Sequence, residues 1–367
     1  MTSRPAGAFS EASIGIGSRT DNGTVQPQAI PVAVRPPLKW AGGKRQLLPV
    51  LAEHYPPVFD RYIEPFLGSG AVFFDLLNAG RLDGRLIRLA DVNADLIGCY
   101  RTLRERPSAV IRELARLERQ YRADGVACYY EVRDARFNPT RAALLGRCGT
   151  PARFARAYTP ALAAMLIFLN RTGFNGLFRL NRQGMFNVPA GRYDDPRICD
   201  ERHLRAVAAT LGRPGVSIAL RGFKSTLAQA GPGDFVYCDP PYAPLSRTAC
   251  FASYTADGFG AEDQLALRQA VVEACARGAW VVVSNSSARE ILRAYGSQEA
   301  RGAGLVMRRV PARRAINSRA SARGPVDELI ISNVARAEDA RARLYAVRPR
   351  MLGARPRRAA AGIESGA

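Results

Sequence analysis

The alternation of short apolar strands with helical segments constrains the fold of this chain more than any other feature of its sequence. Strand-forming runs end at Gly, Asp or Asn residues, and segments with helical apolar spacing lie between them. Strands joined by helices pair in parallel, and such a sheet is covered by helices on both faces. The sequence therefore predicts an α/β fold with a Rossmann-like sheet. The predicted strands are 61–65, 86–90, 279–283 and 326–331, and the predicted helices are 71–78 and 262–277.

The alternation is interrupted between residues 101 and 213, and this interruption defines the predicted domains. The interrupting stretch is rich in Arg, begins with helical spacing and continues into segments dense in Gly, Asn and Pro. We expect a mainly helical domain that is inserted into a sheet domain made of 36–100 and 214–334. Residues 1–35 and 335–367 lack apolar periodicity and are predicted to be disordered extensions.

Charge and cysteine content narrow the class of partner. The 367 residues include 53 Lys or Arg and 32 Asp or Glu, and the net charge of +21 favours a polyanion such as nucleic acid. The 7 Cys residues form no C-x-x-C pair and only 2 His residues are present, so neither disulfides nor a metal site are expected. No apolar run could span a bilayer or act as a signal peptide, which predicts a cytoplasmic protein without membrane association.

The most informative chemical motif is Asp239-Pro240-Pro241-Tyr242, which ends the apolar run 235–238. The Asp239 carboxylate and the Pro240 carbonyl are both acceptors, and together they suit the two N–H groups of an exocyclic amine. The Tyr242 ring would stack on the ring that carries this amine. The motif therefore predicts a site that leaves the lone pair of a ring amine free to attack an electrophile. A Pro-Pro turn also occurs as a simple strand terminator.

A second group of residues predicts a cofactor site. Gly68-Ser69-Gly70 follows one predicted strand, and Asp91 ends the next. Glycines at this point let the backbone approach a ligand, and an acid at this spacing meets the ribose hydroxyls of an adenosine cofactor. The absence of a third glycine fits a cofactor without pyrophosphate, and S-adenosylmethionine is such a cofactor. Lys44, or a helix N-terminus near it, is predicted to hold the carboxylate of the methionine end.

Lysine is almost absent from this basic chain. Only Lys39, Lys44 and Lys224 are present, and the first two flank Trp40 and a Gly-Gly pair. A compact ammonium and a planar guanidinium are not interchangeable at a binding site. The two retained lysines therefore indicate a functional segment near the N-terminus.

Taken in order, these motifs resemble the Dam family of DNA adenine methyltransferases, whose recognition domain is inserted between the cofactor-binding and catalytic halves. The resemblance covers about residues 36–333, and the stretch 139–158 is longer than the pattern of a compact member. The motifs that carry the resemblance are 38–44, 66–70, 91–96, 174–179 with 186–189, 237–246, and 313–317 with 326–329.

The resemblance implies an enzyme that binds double-stranded DNA, flips an adenine out of the helix and methylates its N6 by direct in-line attack on S-adenosylmethionine. It also implies GATC as the target. The implied catalytic residues are Asp239, Pro240, Pro241 and Tyr242. The implied cofactor-binding residues are Trp40, Lys44, Phe66, Gly68, Gly70, Asp91 and Asp239. The implied DNA-binding residues are Lys39, Phe174, Asn175, Leu177, Arg179, Pro189 and Arg192.

Roles within the predicted recognition region follow from side-chain chemistry. Arg179 is the expected bidentate reader of guanine, and Asn175 is expected to contact a base or a phosphate. Leu177 and Pro189 would pack on a thymine methyl group. Phe174 would fill the gap left by the flipped adenine.

Three other functions remain open from the sequence. Cytosine N4 is a similar amine, although enzymes that methylate it more often carry Ser in place of Asp239. An rRNA adenine methyltransferase would share the Pro-Pro motif, and a catalytically silent DNA-binding regulator would share the fold. A cognate restriction endonuclease is one partner that the pattern allows.

Overall fold

The computed structural model of the chain describes residues 33–40, 42, 44–242, 259–313 and 325–335. The predicted disorder of the two extensions therefore falls outside the described residues, apart from positions 33–35 and 335. Val34 forms two hydrogen bonds with Asn78: its N–H donates to Oδ1 at 2.9 Å and its carbonyl accepts from Nδ2 at 2.9 Å. The second described residue is thus already fixed to the sheet domain.

Seven strands form one sheet in the described part of the chain. They are β1 Arg61–Glu64, β2 Leu86–Asp91, β3 Val216–Leu220, β4 Asp234–Cys238, β5 Trp280–Ser286, β6 Val306–Arg313 and β7 Pro325–Ser332. Their order is β3-β2-β1-β4-β5-β7-β6. β1 to β5 are parallel, whereas β7 runs antiparallel to both β5 and β6. The predicted α/β fold is confirmed.

Among the described residues, α-helices form in both the sheet domain and the region inserted between β2 and β3. They are α1 Leu48–Ala52, α2 Ala71–Asn78, α3 Ala94–Glu105, α4 Pro107–Asp124, α5 Val126–Tyr130, α6 Asn138–Cys148, α7 Pro151–Arg156, α8 Pro160–Thr172, α9 Glu201–Leu211, α10 Phe223–Leu227, α11 Ala261–Ala276, α12 Arg289–Tyr295 and α13 Gln298–Gly302. The predicted helices 71–78 and 262–277 correspond to α2 and α11. The motif sought at 313–317 has only its first residue in β6, and residues 314–317 lie outside the described residues.

Alternate residues of the central strands enter two separate cores, as the period of two in a strand requires. In β4, Phe235 and Tyr237 join the larger core, whereas Val236 and Cys238 join the smaller one. The same division separates Val282 from its neighbours in β5. β4 therefore has a buried residue at every position, which explains its unbroken apolar run.

The region between β2 and β3 is mainly helical, in agreement with the predicted insertion. Its helices share the larger core with the sheet, and Tyr121 of α4 meets Phe168 of α8 with ring centroids 5.7 Å apart. Residues 173–190, called here the hairpin loop, follow α8. Two antiparallel bridges, Gly173 with Ala190 and Leu180 with Phe186, close this loop. The helices of the insertion thus give the hairpin loop a rigid base.

The winding of the sheet reverses between β1 and β4. β2 and β3 lie beyond β1 on one side, and β5 lies beyond β4 on the other. In open α/β sheets, a ligand crevice forms outside the carboxyl ends of the strands at this point. Gly68 follows β1, Asp91 ends β2 and Asp239 follows β4, so the fold places all three predicted motifs at the same edge.

Replacing Phe235 with Ala tests the central core. The buried Phe235 ring has its centroid 5.6 Å from Tyr55, 5.4 Å from Phe59 and 5.4 Å from Tyr62. Phe235→Ala should lower the free energy of unfolding by about 3–5 kcal/mol, because it leaves a cavity among these rings. Urea titration followed by circular dichroism would measure the change. The control Leu265→Ala removes a side chain on α11 that is 53% exposed, and it should stay within about 0.5 kcal/mol of the parent. Equal effects of the two substitutions would contradict the core assignment.

Candidate active site and DNA interface

An ion pair between Lys44 and Asp239 occupies the carboxyl end of β4. Lys44 Nζ lies 2.8 Å from Asp239 Oδ1, and the two side chains are 3% and 21% exposed. The ammonium also donates to the carbonyl of Gly42 and lies 4.6 Å from the ring centroid of Tyr242. A compact ammonium engages one carboxylate oxygen, whereas an arginine fork tends to engage both. This geometry gives a physical reason for a lysine in an arginine-rich chain.

The surroundings of Asp239 shift its titration toward neutral pH. Burial raises the pKa of Asp239 to about 6, the Lys44 ammonium limits this rise, and the Glu328 carboxylate adds to it. The carboxylate is therefore ionised at neutral pH but is close to its titration point. Its ionisation depends on the balance between one cation and one neighbouring anion.

Tyr242 is held by a second carboxylate. Its Oη donates to Glu328 Oε2 at 2.6 Å, and Glu328 lies on β7. Burial and the nearby Asp239 and Glu328 carboxylates raise the pKa of Tyr242 well above its ordinary value, so the phenol remains a donor. With Lys44 near the ring and Glu328 at the hydroxyl, the orientation of Tyr242 is fixed.

Two buried amides hold the turn at residues 239–242, called here the Pro-Pro turn. Gln264 Nε2 donates to the carbonyl of Pro241 at 2.9 Å, and Asn285 Nδ2 donates to Gln264 Oε1 at 2.9 Å. Asn285 Oδ1 in turn accepts from the N–H of Ser286 at 2.8 Å. Sequence reasoning missed both amides. Asn285 lies between Ser284 and Ser286 at the buried end of β5, and this polar run in a buried strand was the available signal, whereas Gln264 looks like any helix-surface residue.

The predicted cofactor motifs meet across the ends of β1 and β2. Asp91 accepts from Gly68 N–H through Oδ2 at 3.0 Å and from Asn93 N–H through Oδ1 at 2.9 Å. Burial raises the pKa of Asp91, and these backbone donors act against the rise. Gly68 and Gly70 have φ angles of 47° and 71°, which favour glycine. Asp91 thus joins the glycine loop to the start of α3.

Two aromatic residues line the same region. A Cβ atom at Gly68 would lie 3.0 Å from Trp40 Cδ1, so the indole covers the glycine loop closely. Phe66 stacks on Phe223 with ring centroids 5.6 Å apart and meets Phe259 edge-on at 5.8 Å. The structure therefore brings Trp40, Gly68 and Asp91 together and places Phe66 in an aromatic cluster beside them. Lys44, expected at a cofactor carboxylate, has its ammonium against Asp239.

Glu64 is a further acidic residue of the site that sequence reasoning missed. It ends β1, is 2% exposed and accepts from Tyr62 Oη at 2.9 Å. Burial raises the pKa of Glu64 well above its ordinary value, and the Asp239 and Asp91 carboxylates add to the rise. A charged residue at the end of an apolar strand was the signal. Glu64 lies on the strand that leads directly into the glycine loop.

The side chain of Asn170 attaches Lys39 to the hairpin loop. Asn170 Oδ1 accepts from Lys39 N–H at 2.8 Å, and Nδ2 donates to the carbonyls of Lys39 at 2.7 Å and Gly176 at 2.8 Å. The Lys39 ammonium lies 4.5 Å from the ring centroid of Tyr193. The segment that contains both Lys39 and Lys44 therefore runs from the hairpin loop to the Pro-Pro turn.

The predicted DNA-binding side chains lie on or beside the hairpin loop. Phe174 is 45% exposed, Asn175 adopts a left-handed φ of 54°, and Arg192 is exposed. A surface cavity of about 460 Å³ lies among these residues and is lined by Phe174, Asn175, Ala190, Gly191, Arg192 and Tyr193. Pro189 is exposed and its carbonyl accepts from Phe174 N–H at 2.9 Å. These residues share one exposed region.

Arg179 and Leu177 differ in how free they are to reach a ligand. Asn187 accepts from Arg179 Nε at 2.8 Å through Oδ1 and from Nη2 at 3.2 Å through its carbonyl. These two bonds use two of the five guanidinium donors and orient the rest. Leu177 is half-buried and packs against the larger core, so part of its surface already has a protein partner.

Two negative findings concern the described residues alone. Among them, no group of His, Cys, Asp and Glu side chains is arranged to hold a metal ion. No helix in the described ranges combines the length and apolar character needed to cross a bilayer.

Known proteins resemble this chain over most of its length. Residues 40–305 match the family described as D12 class N6 adenine-specific DNA methyltransferase. The chain is 33% identical over 305 residues to Type II methyltransferase M1.LlaDCHI of Lactococcus lactis subsp. cremoris, covering 82% of this chain and 96% of the relative. It is 37% identical over 262 residues to Type II methyltransferase M.MjaIII of Methanocaldococcus jannaschii, covering 69% and 84%. It is 36% identical over 296 residues to a DNA adenine methylase of Vibrio cholerae, covering 80% and 94%.

The extent of these matches decides among the functions that the sequence left open. The family match includes the glycine loop, Asp91, the hairpin loop and the Pro-Pro turn. The predicted adenine N6 methylation of DNA is confirmed over the cytosine N4 and rRNA alternatives, and the protein is an enzyme rather than a silent regulator. The chain belongs to the D12 class of N6 adenine-specific DNA methyltransferases.

Proposed function

We propose that Asp239 and the Pro240 carbonyl bind the adenine amine and that S-adenosylmethionine donates the methyl group. The observation that carries this proposal is the Lys44–Asp239 pair beside Tyr242 at the switch point of the sheet. When bound, S-adenosylmethionine supplies an electrophilic methyl group on a sulfonium centre. The aromatic and acidic residues around the carboxyl ends of β1 and β2 would hold it.

The residues near Asp91 fit such a donor. A carboxylate offers about four acceptor sites, so Asp91 can accept from a ribose hydroxyl in addition to its backbone donors. Gly68, with its left-handed φ and no side chain, lets the Trp40 indole approach the loop backbone at a distance that a Cβ atom would obstruct. Asn93 Nδ2 is buried without a hydrogen-bond partner in the described part of the chain, which leaves both of its N–H groups for a ligand. Trp40 and Phe66 would flank an adenine ring.

Asp239 acts on the nucleophile in this proposal. Its carboxylate accepts one N–H of adenine N6, and the Pro240 carbonyl accepts the other. Positive charge grows on N6 during transfer, so the carboxylate stabilises the transition state more than the ground state. Lys44 keeps Asp239 ionised near neutral pH and sets its orientation. The surplus proton leaves N6 after the transfer.

Tyr242 supplies the stacking surface for the flipped adenine. Its hydrogen bond to Glu328 and its contact with Lys44 fix the ring before the base arrives. A ring that is already ordered loses little conformational entropy on binding. Base flipping would bring the adenine from the duplex to this ring.

The hairpin loop would read the DNA. Arg179 is oriented by Asn187 and retains donors for a guanine edge, while Asn175, Leu177 and Pro189 are available to neighbouring bases. Phe174 is exposed enough to enter the space that the adenine leaves. Lys39 and Arg192 add positive charge beside the loop, where duplex phosphates would pass.

The target that this proposal assigns is GATC. The motifs of the hairpin loop resemble those of the Dam family, and one relative is named a DNA adenine methylase. Two other relatives are named Type II methyltransferases, which supports a restriction endonuclease with the same target as a partner.

Asp239→Ala tests the catalytic assignment. The variant should bind S-adenosylmethionine in calorimetry but should lose about 100- to 1,000-fold or more in kcat, because the developing charge on N6 lacks its acceptor. Asp239→Asn retains the shape of the side chain but removes its charge, so it distinguishes the effect of the charge on kcat from the effect of packing. Turnover within about tenfold of the parent in both variants would rule out the proposed role.

The pH dependence of kcat/KM tests the state of Asp239. Activity should rise with pH through an apparent pKa near 6, because the ionised carboxylate is the required acceptor. Glu328→Gln should move this acidic limb to lower pH, since it removes the anion that raises the Asp239 pKa but retains an acceptor for Tyr242. Glu201→Gln changes an exposed acid on α9 and should leave the limb in place. If the acidic limb of the pH profile were the same in Glu328→Gln as in the parent, the proposed effect of Glu328 on the Asp239 pKa would be wrong.

Transfer of labelled methyl groups to unmethylated plasmid DNA tests the target. Label should appear in N6-methyladenine, and digestion should show protection at GATC. Arg179→Ala should weaken discrimination against a changed guanine by about 1–3 kcal/mol, because it removes a bidentate contact. Arg182 is exposed in the same loop, and Arg182→Ala should leave discrimination unchanged. If label appeared in adenine without protection at GATC, the proposed target sequence would be wrong but the adenine methyltransferase activity would stand.

A further inference from the structure

Arg141 on α6 connects two parts of the molecule that have been described separately. Its Nε lies 2.9 Å from both oxygens of Asp95, and its Nη2 lies 2.9 Å from Asp95 Oδ2. Its Nη1 donates to the carbonyl of Gly184 at 2.8 Å. Asp95 is in the first turn of α3, just beyond Asp91, and Gly184 is in the turn of the hairpin loop. One guanidinium therefore connects the residues beside the proposed methyl-donor site to the hairpin loop, which is proposed to read the DNA.

The Arg141–Asp95 pair is a buried and fully engaged interaction. The side chains are 11% and 3% exposed, and the buried Tyr158 donates to Asp95 Oδ1 at 3.2 Å. Burial raises the pKa of Asp95, and Arg141 acts against the rise. Arg141 and Tyr158 belong to the region inserted between β2 and β3, whereas Asp95 lies in the first turn of α3, directly after β2. The contact therefore joins the insertion to the sheet domain.

The same helix holds the hairpin loop at a second point. Asn138, one turn before Arg141, accepts from Phe186 N–H at 2.8 Å and donates to the Phe186 carbonyl at 3.0 Å. Phe186 lies opposite Leu180 in the hairpin loop and precedes Asn187, the partner of Arg179. The position of α6 therefore sets the position of the base-reading side chains.

A continuous set of hydrogen bonds leads from the proposed methyl-donor site to the Arg141–Asp95 pair. Asp91 joins Gly68 N–H to Asn93 N–H, and Asn93 Oδ1 caps α3 by accepting from Leu96 N–H at 3.0 Å. This cap fixes the turn that carries Asp95. A change at the glycine loop consequently has a short path to Arg141.

We propose that Arg141 is a positioning residue that couples occupancy of the methyl-donor site to the placement of the hairpin loop. This inference rests on the proposed function, which assigns the donor to Asp91 and the DNA to the hairpin loop. Coupling of this kind is reciprocal, so the donor and the target DNA each raise the affinity for the other. Its magnitude should be about fivefold or more in the parent enzyme.

The test measures the affinity for a GATC duplex in the presence and absence of saturating S-adenosylhomocysteine, by fluorescence anisotropy on the full chain. The ratio of the two affinities is the coupling factor. Arg141→Lys retains a positive charge near Asp95 but cannot span both partners, so the ratio should fall toward one. Asp95→Asn breaks the link from the other side and should give the same fall, and the double variant should add little.

Arg133→Lys is the matched control. Arg133 also donates to the loop, from Nη1 to the Val188 carbonyl at 3.0 Å, but it pairs with Asp134 rather than with the donor side. Its substitution should leave the ratio at the parent value. A residue that only stabilises the fold would weaken both affinities and leave their ratio unchanged. Tyr158→Phe removes one bond to Asp95 and should lower the ratio in part, so the test survives if Arg141→Lys does not fold.

The outcomes separate this inference from the proposed function. A parent ratio of one, a parent-like ratio in Arg141→Lys, or an equal loss in Arg133→Lys would overturn the role of Arg141. Failure of Asp91→Ala to weaken S-adenosylhomocysteine binding would instead overturn the proposed donor site. The role of Arg141 and the proposed donor site would both be supported by two results. The coupling factor would fall in Arg141→Lys and Asp95→Asn but not in Arg133→Lys, and Asp91→Ala would bind S-adenosylhomocysteine more weakly.

Discussion

The ion pair between Lys44 and Asp239 is the interaction on which the proposed active site depends. It joins the N-terminal part of the chain to the carboxyl end of β4, where the Pro-Pro turn begins. Loss of one partner from a buried pair leaves an uncompensated charge and costs about 3–5 kcal/mol. The pair therefore combines a structural role with an electrostatic one, because the same ammonium keeps the Asp239 pKa from rising further.

The segment that carries Lys44 also reaches the hairpin loop. Asn170 holds the backbone of Lys39, and Arg171 donates to the Pro37 carbonyl at 2.7 Å. Together with the Arg141–Asp95 pair, this gives the hairpin loop two attachments to the sheet domain. In the proposed function, a flipped adenine must be aligned with a methyl donor, and such attachments favour this alignment because small displacements of reacting groups reduce rates strongly.

The fold and the chemical motifs were accessible from the sequence for specific reasons. The apolar run of β4 is typical of a strand with both faces buried, and the glycines before α2 indicate a tight turn between a strand and a helix. The roles of Gln264, Asn285 and Glu328 were not accessible in the same way. Gln264 and Glu328 are ordinary polar residues in their own elements, and the polarity of Asn285 in a buried strand does not identify its partner. The partners lie on other elements that the order of the sheet brings near.

The sequence by itself determined the features that depend on adjacent residues: the acceptor pair and ring of the Pro-Pro turn, the glycines before α2, and the acid that ends β2. Their chemistry is local, so residue type and spacing suffice to identify it. Only the tertiary structure decided that Lys44 pairs with Asp239, that Glu328 holds Tyr242 and that Arg141 spans Asp95 and Gly184. These contacts join residues that are distant along the chain, and the strand order and the packing of the insertion bring them together.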